Sequence, residues 1–198
     1  MRAELLSLLA ELERFGRDND ASQAERPRRM LNITRDTGEF LAVLVLATGA
    51  RQVLEIGTSN GYSTLWLADA VRVSGGMVTT VERSDDKIAL AKLNFTRSGL
   101  SAAIRQVRGD AGEVLAKAAE ASVDLLFLDS ERAEYDGWWP DLRRVLRPGG
   151  LLVVDNAVSH AAELAGFFAL VRADPGWANC LVPVGNGEFL AVKRGPRD

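Results

Sequence analysis

Hydrophobic and polar residues follow two different spacings along the chain, and the first of them is helical. Near the N-terminus, apolar residues recur at i, i+3, i+4 and i+7, at Leu5, Leu8, Leu9, Leu12 and Phe15. The pattern predicts an amphipathic helix that gives way to a polar connector, GRDNDASQAERPRR. A second helix is predicted from about Arg35 to Gly49.

From Gln52 onward, short apolar runs alternate with helical patterns of about 10–15 residues, which is typical of βαβ units and a parallel sheet. Helices are predicted over Asp110–Ala121 and Ala133–Leu146, among others. The predicted strands are QVLEI, GMVTTVE, AAIRQVRGD, VDLLFLD and LLVVDN, then CLVPV and EFLAVKR around a Gly185-Asn186-Gly187 turn. We therefore expect an α/β fold: a mostly parallel seven-stranded sheet with helices on both faces and a C-terminal antiparallel hairpin.

The composition narrows the class of protein. The 198 residues fit a single domain, 1–198, in which 1–30 form the N-terminal helix and connector. With 24 basic and 27 acidic residues the net charge is −3, so we expect no nucleic-acid partner. No apolar run is long enough for a membrane span or a secretory signal, and we expect no membrane partner and a cytoplasmic location.

Single copies of two residue types exclude several kinds of site. Cys180 is the only cysteine, which rules out an intramolecular disulfide and zinc sites built on several thiolates; we expect it to be buried. His160 is the only histidine, so metal sites with two or three histidines are excluded as well.

The carboxyl ends of the first two predicted strands indicate a nucleoside ligand. Open parallel sheets bind ligands at this edge. Gly57 and Gly61 follow the first strand and permit a tight turn close to a ligand, and Glu82, ending the second strand, can accept both hydroxyls of a ribose. The alternatives are an ordinary strand-to-helix turn and an exposed strand-end charge. The spacing GxxxG differs from the GxGxxG of dinucleotide sites.

The third strand ends at Gly109-Asp110-Ala111, where small residues would admit a flat adenine ring. Asp110 could accept a hydrogen bond from its amino group, or cap the next helix, or do both.

The fourth strand ends in Asp129 and the fifth in Asp155-Asn156. Two carboxylates and an amide at neighbouring strand ends are oxygen ligands suited to Mg²⁺ or a similar divalent cation. The alternative is that these residues cap the helices that follow.

Four blocks of the sequence resemble the cation-dependent O-methyltransferases, which include the catechol and caffeoyl-CoA O-methyltransferases. The blocks are VLEIGTSNGYSTLWLA, VTTVE, VDLLFLDSERAEY and LRPGGLLVVDNAV, and the likeness extends from about Leu31 to Arg194. The resemblance implies a Rossmann-like class I methyltransferase that transfers a methyl group from S-adenosylmethionine (SAM) to a hydroxyl of a small catechol-like or vicinal-diol molecule.

The resemblance also implies roles for individual residues. The cation would be held by Asp129, Asp155 and Asn156, and Asp129 would also act in catalysis and border the cofactor. Gly57, Ser59 and Ser63 would line the methionine part of SAM, Glu82 would hold the ribose, and Gly109, Asp110 and Ala111 would flank the adenine. The other residues assigned to the cofactor site are Ile33, Glu55 and Gly61.

One position departs from the family pattern. A lysine that takes the substrate proton usually stands three residues after the strand-four acid, where this chain has Arg132, a poor base because it stays protonated. Either the cation and solvent handle deprotonation, or His160 is the base.

Three alternative functions remain open: a methyltransferase that acts on another acceptor, a nucleotide-cofactor oxidoreductase, and a SAM-binding module without this chemistry. Relatives that form dimers leave a homodimer open too.

Overall fold

The computed structural model describes residues 1–195, and its core is one seven-stranded sheet with helices on both faces. The helices are α1 Ala3–Ser22, α2 Arg35–Thr48, α3 Tyr62–Val71, α4 Asp85–Ser98, α5 Ala111–Lys117, α6 Tyr135–Val145 and α7 Ala161–Ala173. The strands are β1 Gln52–Ile56, β2 Met77–Glu82, β3 Ile104–Arg108, β4 Val123–Leu128, β5 Leu146–Val154, β6 Trp177–Val182 and β7 Glu188–Lys193.

The strand order is β3-β2-β1-β4-β5-β7-β6, with β1 to β5 parallel and the β6–β7 hairpin antiparallel to β5. The register pairs Ile56 with Leu128, and Leu128 with Val154. The residues that follow these strands therefore lie side by side at one edge. Because β7 is antiparallel, its first residues reach the same edge, where Phe189 pairs with Val154. The predicted fold class is confirmed.

Side-chain alternation along the central strands divides the core into two layers. On β4, Leu125 and Phe127 belong to the layer beneath α1 to α4. Leu126 and Leu128 belong to the layer beneath α5 to α7. All four are fully buried, as expected for a sheet that is covered on both faces.

Three predicted boundaries were wrong, for local physical reasons. α1 extends to Ser22, because polar residues can continue a helix whose inner face, here Leu12 and Gly16, is already buried. α5 ends at Lys117, since the Arg144 guanidinium binds the carbonyls of Ala118 and Leu115 beyond the last turn.

The third boundary is the end of α6. This helix ends at Val145, and the segment Pro148-Gly149-Gly150 lies within β5, which begins at Leu146. The ladder between β4 and β5 is irregular there, with a register shift between Val123 and Leu125. The irregular stretch accommodates a proline that cannot donate to the ladder.

The prediction that Cys180 is buried was also wrong: Cys180 lies exposed on β6, the edge strand. Across residues 1–195, none of the helices is both long and apolar enough to traverse a lipid bilayer.

Candidate active site

A cleft of about 760 Å³ opens at the carboxyl edge of the sheet. Its floor is formed by the residues that follow β1, β2, β3, β4 and β5. Its other side is formed by the segment between α1 and α2, residues 23–34, which we call the strap. The cleft is at the edge that the parallel topology predicts for a ligand.

The glycine loop after β1 follows a course that few side chains permit. Gly57 has φ +107°, and a Cβ there would collide with the backbone carbonyl of Asp129. Gly61 has φ +87° and precedes α3, and a Cβ there would collide with the ring of Phe95. Ser59, at φ +48°, adopts the left-handed conformation without being glycine, a strain found mostly at functional sites.

Glu82 fixes this loop and the end of β2 together. Its Oε2 accepts from the Ser59 N–H at 3.0 Å, and its Oε1 accepts from the N–H groups of Arg83 and Ser84, each at 3.0 Å. A carboxylate has about four acceptor positions, so Glu82 keeps capacity for a hydroxyl donor in the cleft that it lines.

Glu55 lies behind the loop and not in the cleft lining. It is fully buried and accepts from the hydroxyls of Ser63 and Thr80, each at 2.6 Å, and from that of Thr64. Burial raises the pKa of Glu55 to about 7, against the lowering effect of the three hydroxyls. Its contact with the cleft runs through Ser63, which does line it.

The third strand ends in a small-residue corner of the cleft. Gly109 and Ala111 line it, and the Asp110 carboxylate caps α5 by accepting from the Glu113 N–H at 3.1 Å. The capping alternative is therefore correct, and Asp110 also faces the cleft.

The strap is bound to both α1 and the glycine loop. The Asp20 carboxylate accepts from the N–H groups of Met30 at 2.6 Å and Leu31 at 2.9 Å. The Ser59 hydroxyl donates to the Met30 carbonyl at 2.6 Å. Ile33, at the end of the strap, is buried and lines the cleft.

Asp129, Asp155 and Asn156 converge at the other end of the cleft. The Asn156 Nδ2 lies 2.6 Å from Asp155 Oδ2 and 3.4 Å from Asp129 Oδ1. Asn156 holds φ +63°, again a left-handed conformation at a non-glycine residue. Burial, reinforced by the charge of Asp155, raises the pKa of Asp129 well above its ordinary value, and burial also raises the pKa of Asp155.

This donor set fits a divalent cation. Two carboxylates whose negative charges are poorly compensated surround one point, and the amide is already directed at it. Amide oxygen and nitrogen are assigned from hydrogen bonds, so a rotated Asn156 amide would present its oxygen there. Within residues 1–195, no cluster of three or more His, Cys, Asp or Glu side chains is arranged to hold a metal.

Glu188, the first residue of β7, adds a third carboxyl group that the sequence analysis missed. It is fully buried, accepts from the Thr37 hydroxyl at 3.0 Å and contacts Asp155. Burial, together with the negative charge of Asp155, raises the pKa of Glu188 to about 11. Glu188 Oε2 has no hydrogen-bond partner among residues 1–195, and a proton on this carboxyl group would let Glu188 donate to the Asp155 carboxylate that it contacts.

Arg132 and His160 border the same end of the cleft. Arg132 is buried on the turn after β4, and its Nε donates to Glu163 Oε2 at 2.8 Å. The His160 Nδ1 is hydrogen-bonded to the Ser159 hydroxyl at 2.9 Å. The positive charge of Arg132 lowers the pKa of both Asp129 and Asp155, but not enough to offset their burial.

The structure gathers most of the predicted site residues around one cleft. Those that line it are Ile33, Gly57, Ser59, Ser63, Glu82, Gly109, Asp110, Ala111, Asp129, Asp155, Asn156 and His160. Glu55 and Gly61 lie behind it. Met30 and Trp138 also line it, and neither was among the predicted site residues. Glu188 had a signal, an acid at the start of an otherwise apolar strand that runs back to the ligand edge.

Comparison with known proteins places the chain in a sequence family. A family described as O-methyltransferase matches residues 3–194. A Mycolicibacterium vanbaalenii protein named "Putative O-methyltransferase" is 33% identical over 169 residues, which span 79% of this chain and 74% of that protein.

Solved structures show the same fold. An O-methyltransferase from Bacillus cereus, in complex with SAH, superimposes with a TM-score of 0.81 at 27% identity, covering 95% of this chain and 91% of that one. The O-methyltransferase TomG from Streptomyces achromogenes, in complex with SAM, is 24% identical with a TM-score of 0.79 over 98% and 92% of the two chains. Because the identity is this low, the similarity to TomG supports the fold of this chain and not its activity.

Proposed function

The chain belongs to the O-methyltransferase family, and from this premise we propose that it transfers a methyl group from SAM to a hydroxyl of a small catechol-like or vicinal-diol molecule with the help of a divalent cation. The single observation that carries the proposal is that the two ends of one cleft differ in chemistry. Asp129, Asp155 and Asn156 converge at one end, and at the other end Glu82 lines the cleft beside the glycine loop.

The cofactor end is suited to the nucleoside and amino-acid parts of SAM. Glu82 is the acceptor for a ribose hydroxyl, and the small residues Gly109 and Ala111 leave room for the adenine ring. The methionine part lies along the glycine loop, near Gly57 and Ser63. The SAH in the Bacillus cereus relative supports this choice of cofactor.

The other end is suited to a cation, which Asp129, Asp155 and Asn156 would hold. When bound, a cation such as Mg²⁺ makes a hydroxyl more acidic by stabilising its oxyanion. Glu188 supports the set from behind, because its carboxyl group is anchored by Thr37 and directed at Asp155.

The transfer itself requires little covalent chemistry from the protein. The acceptor hydroxyl loses its proton to solvent, its oxygen attacks the methyl carbon in line, the C–S bond breaks, and the electron pair stays on sulfur as SAH forms. The protein supplies orientation, which accounts for much of the rate in such reactions. His160, whose Nδ1 is hydrogen-bonded to the Ser159 hydroxyl at 2.9 Å, borders the cleft and is the alternative acceptor for this proton.

A methyl-transfer screen with labelled SAM tests the proposal. Catechol and aliphatic vicinal diols are each assayed with Mg²⁺ and with a chelator, and SAH binding is measured by calorimetry. We expect SAH to bind, and at least one diol to be methylated only when the cation is present. Binding of NAD instead of SAH would refute the cofactor assignment. Full activity in the chelator would refute the cation.

A further inference from the structure

The side chain of Arg132 is a buried positive charge that forms an ion pair with one acidic side chain among residues 1–195, Glu163. It is 5% exposed and follows β4 on a short 3₁₀ turn, Arg132–Glu134. Its Nε–H donates to Glu163 Oε2 at 2.8 Å. Glu163 is itself 52% exposed, so this pair lies at the boundary between the protein interior and solvent.

The far end of the guanidinium lacks a protein acceptor. Arg132 Nη2 is buried and has no hydrogen-bond partner among residues 1–195, and the neighbouring Ser130 hydroxyl is in the same condition. A buried charged donor without an acceptor is costly, and such groups in native proteins normally have a partner. Both residues line the cleft, so the cleft is where that partner would come from.

The two nearby carboxylates do not fill this role. Asp129 and Asp155 are directed at Asn156, and in the proposed function they hold the cation. With Nε committed to Glu163, Nη2 is the buried guanidinium donor left without an acceptor on a side chain that lines the cleft. Two parallel N–H donors match the two oxygens of a carboxylate, in the bidentate geometry that distinguishes arginine from lysine.

We propose that Arg132 binds a carboxylate of the methyl acceptor, so that the preferred acceptors are vicinal diols that also carry a carboxylate group. The inference rests on the proposed function, because it assigns the substrate class of the same cleft. Arg132 would then determine substrate specificity. Binding a carboxylate would also explain why this chain has an arginine at the position where the related enzymes have a lysine that acts as the base.

Calorimetry on the wild-type protein, saturated with SAH and Mg²⁺, tests the inference without any variant. The 2,3- and 3,4-dihydroxybenzoates are each compared with the corresponding dihydroxybenzamide, which keeps the diol and the shape but lacks the charge. We expect at least one acid to bind about 10- to 100-fold more tightly than its amide, as hydrogen bonds to charged groups imply. Equal affinity within both pairs would overturn the inference.

Two variants then assign the effect to one side chain. Arg132→Met should remove the preference for the acid while SAH binding stays unchanged. Arg83→Met is the matched control, because Arg83 lines the same cleft but is exposed and makes only a 3.7 Å contact with Glu134. A preference that survives in Arg132→Met, or disappears equally in Arg83→Met, would also overturn the inference.

Methylation of catechol itself separates this inference from the proposed function. Catechol carries no carboxylate, so its cation-dependent methylation depends on the proposed function alone. If catechol is methylated and neither acid is preferred, the inference fails and the proposed function stands. If SAH binds but no diol, charged or neutral, is ever methylated, the proposed function fails.

Discussion

Replacing Glu82 by alanine tests the cofactor site at the residue on which its geometry depends most. The carboxylate accepts three backbone N–H groups, from Ser59, Arg83 and Ser84, each at 3.0 Å. It thereby joins the glycine loop to the end of β2 and still faces the cleft. Glu82→Ala removes the acceptor for the ribose and at the same time releases the loop.

The expected loss follows from the hydrogen bonds involved. A hydrogen bond to a charged acceptor contributes about 1.5–3 kcal/mol. At about 1.4 kcal/mol for each factor of ten, the dissociation constant of SAH should rise about 10- to 150-fold. Glu82→Gln should lie between alanine and wild type, because its amide oxygen still accepts while its NH₂ group opposes backbone donors.

Isothermal calorimetry with SAH measures these constants, and thermal melting confirms that each variant is folded. Glu134→Ala is the matched control, since Glu134 also lines the cleft and its removal changes the charge equally, yet its ion pair with Arg83 is long, at 3.7 Å. We expect less than a twofold change in that control. An affinity of Glu82→Ala within twofold of wild type would refute the ribose assignment.

Three further predictions concern Asp155 and His160 at one end of the cleft and the buried Glu55. Asp155→Ala should abolish turnover at ordinary Mg²⁺ concentrations, as a chelator should in wild type, while calorimetry still shows SAH binding; retained turnover would contradict the cation site. Glu55 has its pKa raised from 4.5 to about 7, so the stability from its neutral form is fully present below pH 4.5 and is lost as the pH rises through 7. Glu55→Gln should therefore show a flatter stability profile in urea unfolding over this range, and an unchanged slope would contradict the burial argument. His160→Ala should keep turnover within about threefold, because in the proposed transfer the acceptor hydroxyl loses its proton to solvent; a loss of about 10²-fold or more, the range for general-base catalysis, would identify His160 as the base.

Much of the site could be predicted because it follows from strand order. Once β1, β4 and β5 are recognised as parallel neighbours, the residues after Ile56, Leu128 and Val154 must lie together. The same argument fails for Glu55, which precedes the strand end by one residue. Side chains alternate along a strand, so Glu55 is directed into the layer under α3 and not into the cleft.

The residues that escaped prediction depend on contacts between distant segments. Glu188 meets Thr37 across a separation of 151 residues, and the hairpin register that brings it to Asp155 cannot be deduced from local patterns. Likewise, the spacing of Arg132 from Asp129 predicts nearness to the cation site. It does not predict that the guanidinium is buried and held by Glu163, on a helix 31 residues further along the chain.

The tight packing at Gly57 limits how substrate specificity could change by mutation. A Cβ at Gly57 would collide with the carbonyl of Asp129, and backbone hydrogen bonds continue from there: the Asp129 N–H donates to the Ile56 carbonyl at 3.0 Å, and the Asp155 N–H donates to the Leu128 carbonyl at 3.1 Å. The main chain thus fixes the distance between the glycine loop and the end of the cleft that contains Asp129, Asp155 and Asn156. Point substitutions can alter which acceptors fit across this span, but its length would change only through insertion or deletion of residues at the strand ends.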